Sequence, residues 1–170
     1  TLSFVAIYSK QASGATAWTA VTAAANVASG EYVIAGNHSD TTYGGPYYLT
    51  QEGVKATPTA TALTLTDGVP DGTYATWQIR ETATAGQYLV YYVDGENTYY
   101  LEAFDSTTGI KVVAASTASA YWSFSDNATY GLLMHFSDGS GRNLAVYINT
   151  SSGTSTWRYY KTDVNYKISL

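Results

Sequence analysis

Tyr88-Leu-Val-Tyr-Tyr-Val-Asp94-Gly95-Glu-Asn-Thr98-Tyr-Tyr-Leu-Glu-Ala-Phe104 is the stretch from which the fold is read. β-Branched and aromatic residues fill both halves, and such side chains suit a pleated, half-buried surface. Between the halves stands Asp94-Gly95, a pair that tolerates the positive φ of a tight hairpin turn. The stretch predicts two antiparallel strands, Tyr88 to Val93 and Thr98 to Phe104. Trp77 to Arg80 on one side and Ile110 to Ala114 on the other extend it to a four-strand run.

The same signals recur along the chain while helical periodicity is almost absent, so the expectation is an all-β domain. Upstream strands are expected at Ser3 to Tyr8, Ala17 to Val21, Tyr32 to Ala35, Tyr47 to Gln51 and Ala62 to Thr66. Downstream ones are expected at Tyr121 to Ser125, Leu132 to Phe136, Leu144 to Ile148, Thr156 to Lys161 and Tyr166 to Leu170. Asp67-Gly68, Asp71-Gly72 and Asp138-Gly139 supply further turns. Ala20 to Ala28, the one Ala-rich segment, reads as an irregular or short helical connection.

Three stretches superimpose within this pattern. The first runs Trp18-Thr-Ala-Val21, Gly30-Glu-Tyr-Val-Ile34, Tyr47-Tyr48-Leu49, Leu63-Thr-Leu65. The second runs Trp77-Gln-Ile79, Gly86-Gln-Tyr-Leu-Val90, Tyr99-Tyr100-Leu101, Lys111-Val-Val113, and the third Trp122-Ser-Phe124, Gly131-Leu-Leu-Met134, Asn143-Leu144, Trp157-Arg-Tyr159. A four-strand unit repeated three times predicts a β-trefoil-like fold or a related closed β-barrel with a pseudo-threefold internal repeat, since closure removes open sheet edges. Trp77, Ile79, Trp122 and Phe124 are then expected at equivalent core positions.

The chain has 170 residues, 45% of them hydrophobic and only 12% charged, with 17 Tyr, 4 Trp and 4 Phe. The aromatics can bury enough apolar surface to offset the entropy of ordering one domain of this size. The formal charge of −5 is spread along the chain and the basic residues never cluster, which excludes a phosphate-neutralising nucleic-acid partner. No Cys is present, so stability rests on packing alone. No apolar run reaches the roughly 20 residues that insert across a bilayer. Beginning at Thr1, the chain is read as an excised, monomeric module of a longer exported protein, secreted or displayed on the cell surface.

The Trp-x-Phe rhythm of Trp122-Ser-Phe124 resembles that of ricin-like trefoils, although the closing Gln-x-Trp of that lectin repeat is absent: Ala75-Thr76 precedes Trp77 and Ala120-Tyr121 precedes Trp122. Residues 17–170 also resemble an accessory β-domain of exported multidomain surface proteins of gut Bacteroidetes and Firmicutes. That resemblance is carried by Trp18-Thr-Ala-Val-Thr22, Ser29-Gly-Glu-Tyr-Val-Ile-Ala35, Tyr121-Trp-Ser-Phe124, Arg142-Asn-Leu144 and Tyr166-Lys-Ile-Ser-Leu170. Thr1-Leu-Ser-Phe-Val-Ala-Ile-Tyr-Ser-Lys10 is similar to the end of a Listeria–Bacteroides type surface repeat. The resemblance implies that residues 1–16 are the terminal strand and linker of a preceding repeat and that 17–170 form the domain.

Catalytic constellations are sparse. Asn37-His38-Ser39-Asp40 holds triad residue types, but neighbours on an extended loop diverge; His135 lies in an apolar strand and reads as a solvent-facing or satisfied polar residue. Asp94, Glu96 and Asn97 share a turn with calcium-like oxygen donors, yet the Asp-Gly hairpin accounts for the same residues. The expectation is no catalytic residue, no metal and no cofactor. Aromatic density points instead to carbohydrate, whose C–H faces stack on Tyr and Trp rings. The trefoil resemblance implies ligand-binding residues in three loops: Asn37, Asp40, Tyr43 and Tyr47; Tyr92, Asp94, Asn97 and Tyr99; Asp138, Arg142 and Asn143. The expected function is a non-catalytic surface module binding a glycan or a host or cell-surface protein. The alternatives are a structural spacer in an adhesin and a glycoside hydrolase with a carboxylate pair.

Overall fold

The hairpin around Asp94 forms as its chemistry requires. Asp94 pairs with Asn97, Tyr92 with Tyr99 and Tyr91 with Tyr100, and Gly95 takes a φ of 59° at the turn. The structure, a computed structural model, describes residues 6–10, 17–38, 41–104, 109–114, 121–149 and 151–161. It is all-β. In chain order the strands are β1 (Ala6–Lys10), β2 (Trp18–Val21), β3 (Gly30–Gly36), β4 (Tyr47–Leu49), β5 (Lys55–Ala56), β6 (Ala60–Ala62), β7 (Leu65–Thr66) and β8 (Val69–Pro70). They continue as β9 (Trp77–Glu81), β10 (Tyr88–Asp94), β11 (Asn97–Phe104), β12 (Gly109–Val113), β13 (Trp122–Asn127), β14 (Gly131–Phe136), β15 (Arg142–Asn149) and β16 (Thr154–Lys161). Single 3₁₀ turns at Ala24–Asn26 and Thr41–Tyr43 interrupt them, the first within the Ala-rich connection.

Among the described strands every ladder is antiparallel, and six of the ladders set apolar residues opposite one another. Ile7 faces Ile34 and Leu49 faces Ala60; Ile79 faces Val90 and Leu101 faces Val112; Phe124 faces Met134 and Leu144 faces Tyr159. Across neighbouring runs Tyr32 pairs with Trp77 and Tyr88 with Trp122. These residues share one core cluster, in which Trp77, Trp122 and Trp157 are fully buried. Burying an indole requires a partner for its N–H. Trp77 Nε1 donates to Leu49 O at 3.0 Å, and Trp122 Nε1 donates to Leu101 O at 2.8 Å. Phe124, expected in the core, is half-buried and packs edge-on against Tyr88 at 5.3 Å.

Several expectations are corrected. The sheet is not a closed barrel: among the described strands its hydrogen-bonded path runs from β16 through β15, β14, β13, β10, β9, β3 and β1 to β2, where it ends. Trp18 is not the counterpart of Trp77; it lies in a separate cluster with Tyr8, Val33 and Leu63 on the opposite face of β1 and β3. β3 is paired by β1, and β2 pairs with β1 rather than with β3. In the third run the alignment on Gly131 slips by one residue, because Met134 rather than Leu133 faces the core opposite Phe124. A one-residue slip inverts every side chain of a strand, so the expected superposition on Gly131 does not bring like-facing residues together. The expected strand Ala62 to Thr66 divides into β6 and the end of the small β7–β8 hairpin, turned at Asp67-Gly68 with both residues at positive φ.

Residues 6–10, the described part of the N-terminal stretch, form β1. β1 hydrogen-bonds to β2 on one edge and β3 on the other, and Ile7 is wholly buried in the main core. Within the described residues this strand belongs to the same sheet as β2 and β3. Residues 11–16 and the expected strand at Tyr166 to Leu170 lie outside the described residues.

Candidate functional site

Period-two alternation on β9 and β10 builds a two-sided surface. Trp77, Ile79, Val90 and Tyr92 point into the core, so Gln78 and Tyr91, which face each other in the ladder, point outward together. Tyr91 is flanked by Tyr100 of β11, its ring centroid 5.5 Å away and tilted 39°, and the Arg80 guanidinium lies 5.4 Å from the Tyr91 centroid. Gln78, Tyr91 and Val93, with Gln51, Thr76 and the edge of Tyr92, line a shallow cleft of about 280 Å³. Its rim is preorganised: Gln51 Nε2 donates to Thr76 O, and Thr76 Oγ1 donates to Glu31 Oε1 at 2.7 Å. Glu31 stands beside Gln78 across the β3–β9 ladder. Ring face, amide, hydroxyl, guanidinium and carboxylate thus share one side of the sheet.

The three loops expected to bind ligand remain on three separate hairpins. In the first, Tyr43 is exposed and meets His38 edge-on at 5.2 Å, while Tyr47 is half-buried and its hydroxyl donates to Tyr43 O. Asn37 is half-buried; a side chain at Gly45, whose φ is 113°, would come within 3.0 Å of its Oδ1. Asp40 lies outside the described residues. In the second loop Tyr92 is core, not platform: only 4% exposed, it stacks on Tyr99 at 5.0 Å, meets Trp77 edge-on and accepts Gly53 N at 2.6 Å. Burial raises its hydroxyl pKa above the ordinary tyrosine value. Asp94 and Asn97 are exposed at the turn. In the third loop Asp138 Oδ1 accepts Ser140 N at 2.9 Å and the Tyr159 hydroxyl at 3.2 Å, closing its own turn. Burial first, aided by the Asp138 carboxylate, pushes that hydroxyl up to about 12. Arg142 is half-buried, and Asn143 is buried with a 3.5 Å Nδ2 bond to Tyr160 O and no partner for Oδ1.

Among the described residues no three His, Asp or Glu side chains gather closely enough to hold a metal ion, and no helix is long and apolar enough to cross a membrane. His135 is half-buried, its Nε2 2.5 Å from Ser125 Oγ, a neighbour that the strand pattern does not announce. Burial lowers its pKa below 6.5 against the opposing pull of the Arg142 backbone and the Asn143 side chain. The unfolded chain, titrating near 6.5, takes up this proton before the folded one does. Stability from the neutral ring is therefore full above that value and declines as pH falls below it. The melting temperature is expected to drop between pH 7 and pH 5, and His135→Gln to flatten that slope. An unchanged slope in the variant would show that other groups set it.

The chain matches no family model, no curated protein and no solved structure.

Proposed function

We propose that this protein is a non-catalytic binding domain of an exported surface protein, and that it holds a neutral glycan against the outer face of β9 and β10. The observation that carries this reading is the Gln78–Tyr91 ladder pair, which sets an amide beside an outward-facing aromatic ring on the wall of a preformed cleft. Sugars are bound by such a combination, the ring covering the C–H face and the amide bonding to hydroxyls. At about 280 Å³ the cleft falls at the low end of small-molecule sites, which favours one stacked sugar ring over an enclosed oligosaccharide. The low charge and abundant Tyr support an extracellular setting. Matched positions in three four-strand runs support descent from a trefoil-like threefold unit whose ring is open.

The test is a glycan array followed by titration calorimetry. One or more neutral sugars are expected to bind with millimolar to micromolar affinity, about −4 to −8 kcal/mol. Tyr91→Ala and Gln78→Ala should each weaken binding by roughly tenfold, while Tyr43→Ala leaves it unchanged. Absence of glycan binding, or binding indifferent to Tyr91, would transfer the role to adhesion or spacing.

A further inference from the structure

A second, larger groove lies away from the Gln78–Tyr91 cleft, where β16 meets the chain leading from β5 to β6. Its volume is about 570 Å³, in the range of small-molecule sites. Thr154, Thr156 and Arg158 line one wall, on alternate residues of β16 and hence on one face. Lys55, Thr57 and Thr59 line the other. The walls are fastened together. Thr59 bridges to Thr156, Trp157 N donates to Pro58 O at 2.8 Å, and Ser155 Oγ donates to Ala60 O at 2.5 Å.

The chemistry of the lining is one-sided: hydroxyls and two cations, with no carboxylate among the lining residues. Lys55 is paired at 2.8 Å with Glu52, which stands behind Thr59 and accepts its amide and hydroxyl. Burial would raise the Glu52 carboxyl, but the bonds from Lys55 and Thr59 outweigh it and hold it below its ordinary value. The unpaired charge of the groove is therefore that of Arg158, and Lys55 adds the N–H that Glu52 and Thr59 leave over. Its Nε reaches Thr156 Oγ1 at 3.4 Å and its Cζ lies 5.4 Å from the Tyr147 centroid, so the guanidinium is aimed while its terminal N–H groups remain donors. Thr57 adds an independent sign. A β-branched residue rarely takes a φ of 60°, yet Thr57 does, held by its N–H to Ile110 O at 2.9 Å. Backbone held in such a region concentrates at ligand sites, where surrounding structure enforces it.

We infer that this groove is a binding site for a carboxylated sugar, its carboxylate taken by Arg158 with Lys55 and its hydroxyls by the threonines. Guanidinium to carboxylate is a charge-assisted, bidentate match, and ring hydroxyls suit a wall of threonines where an apolar acid would not. The site stands apart from the neutral-glycan reading of the Gln78–Tyr91 cleft.

The experiment is a ¹⁵N-resolved titration of the whole chain with glucuronate, with glucose and inorganic sulfate in parallel. Glucuronate is expected to shift amides of residues 55–59 and 153–158 and to bind at least tenfold more tightly than glucose or sulfate, weakening as salt is raised. Arg158→Gln should abolish saturation and Arg158→Lys restore part of it. Thr57→Gly should raise the melting temperature, by relieving φ, and still weaken glucuronate several-fold. Should Arg158→Gln fail to fold, Lys55→Met and Thr57→Gly carry the test. Equal affinity for glucose, equal affinity for sulfate, or glucuronate binding untouched by the Arg158, Lys55 and Thr57 variants would each overturn the assignment.

Discussion

Trp122→Ala is expected to cost about 3–5 kcal/mol, the range for removing a large aromatic from a packed core. The indole is 1% exposed, pairs across the sheet with Tyr88, and packs edge-on against Phe136 at 5.0 Å and Tyr159 at 6.0 Å. Its N–H also bonds Leu101 O at 2.8 Å, tying β13 to β11. Total stability of a domain is only about 5–15 kcal/mol, so this single change is expected to bring unfolding close to working temperatures. Trp122→Phe separates the two contributions. It keeps most of the apolar area but withdraws the donor from a buried carbonyl, a loss of about 1–3 kcal/mol. Urea unfolding monitored by circular dichroism measures both, with an unchanged slope establishing that compactness is preserved. A loss under about 1 kcal/mol for Trp122→Ala would mean that this ring does not sit in the core described.

The second large effect is expected at the other end of the chain. Ile7→Ala should destabilise the fold by about 2–5 kcal/mol, because Ile7 is fully buried and lies between Val21 and Ile34 in two ladders. Deleting residues 1–16 should be worse, since it removes the strand that pairs with both β2 and β3 and leaves β3 an open edge. The contrast with a linker is sharp. If residues 1–16 belonged to a preceding unit, the deletion would leave the melting temperature within a degree or two and Ile7→Ala would be silent.

Alternation made much of the architecture readable. Trp77 and Ile79 two residues apart predict a strand with one buried face, and once they are core the residue between them, Gln78, must face out. The outward position of Tyr91 follows in the same way from Val90 and Tyr92, so the cleft residues were within reach of the sequence. The trefoil resemblance places ligands in loops instead, which leaves these strand residues out. Tyr92 shows the reverse error: a tyrosine near a turn looks available until its ring is found stacked on Tyr99 and bonded to Gly53, residues whose approach no local pattern announces.

Local chemistry determined that this chain is β throughout, that Asp67-Gly68 and Asp94-Gly95 are turns, and that its tryptophans need buried partners, because φ preferences and side-chain alternation act over a few residues. Register, closure and site assembly were decided only in three dimensions. Gly131 invited an alignment that its ladder rejects by one residue, and β1 rather than the Trp18 strand pairs with β3. Arg158 and Thr57, far apart in the chain, became walls of one groove. These outcomes depend on which edges find each other and which faces exclude water together, and that balance is set by the whole sheet.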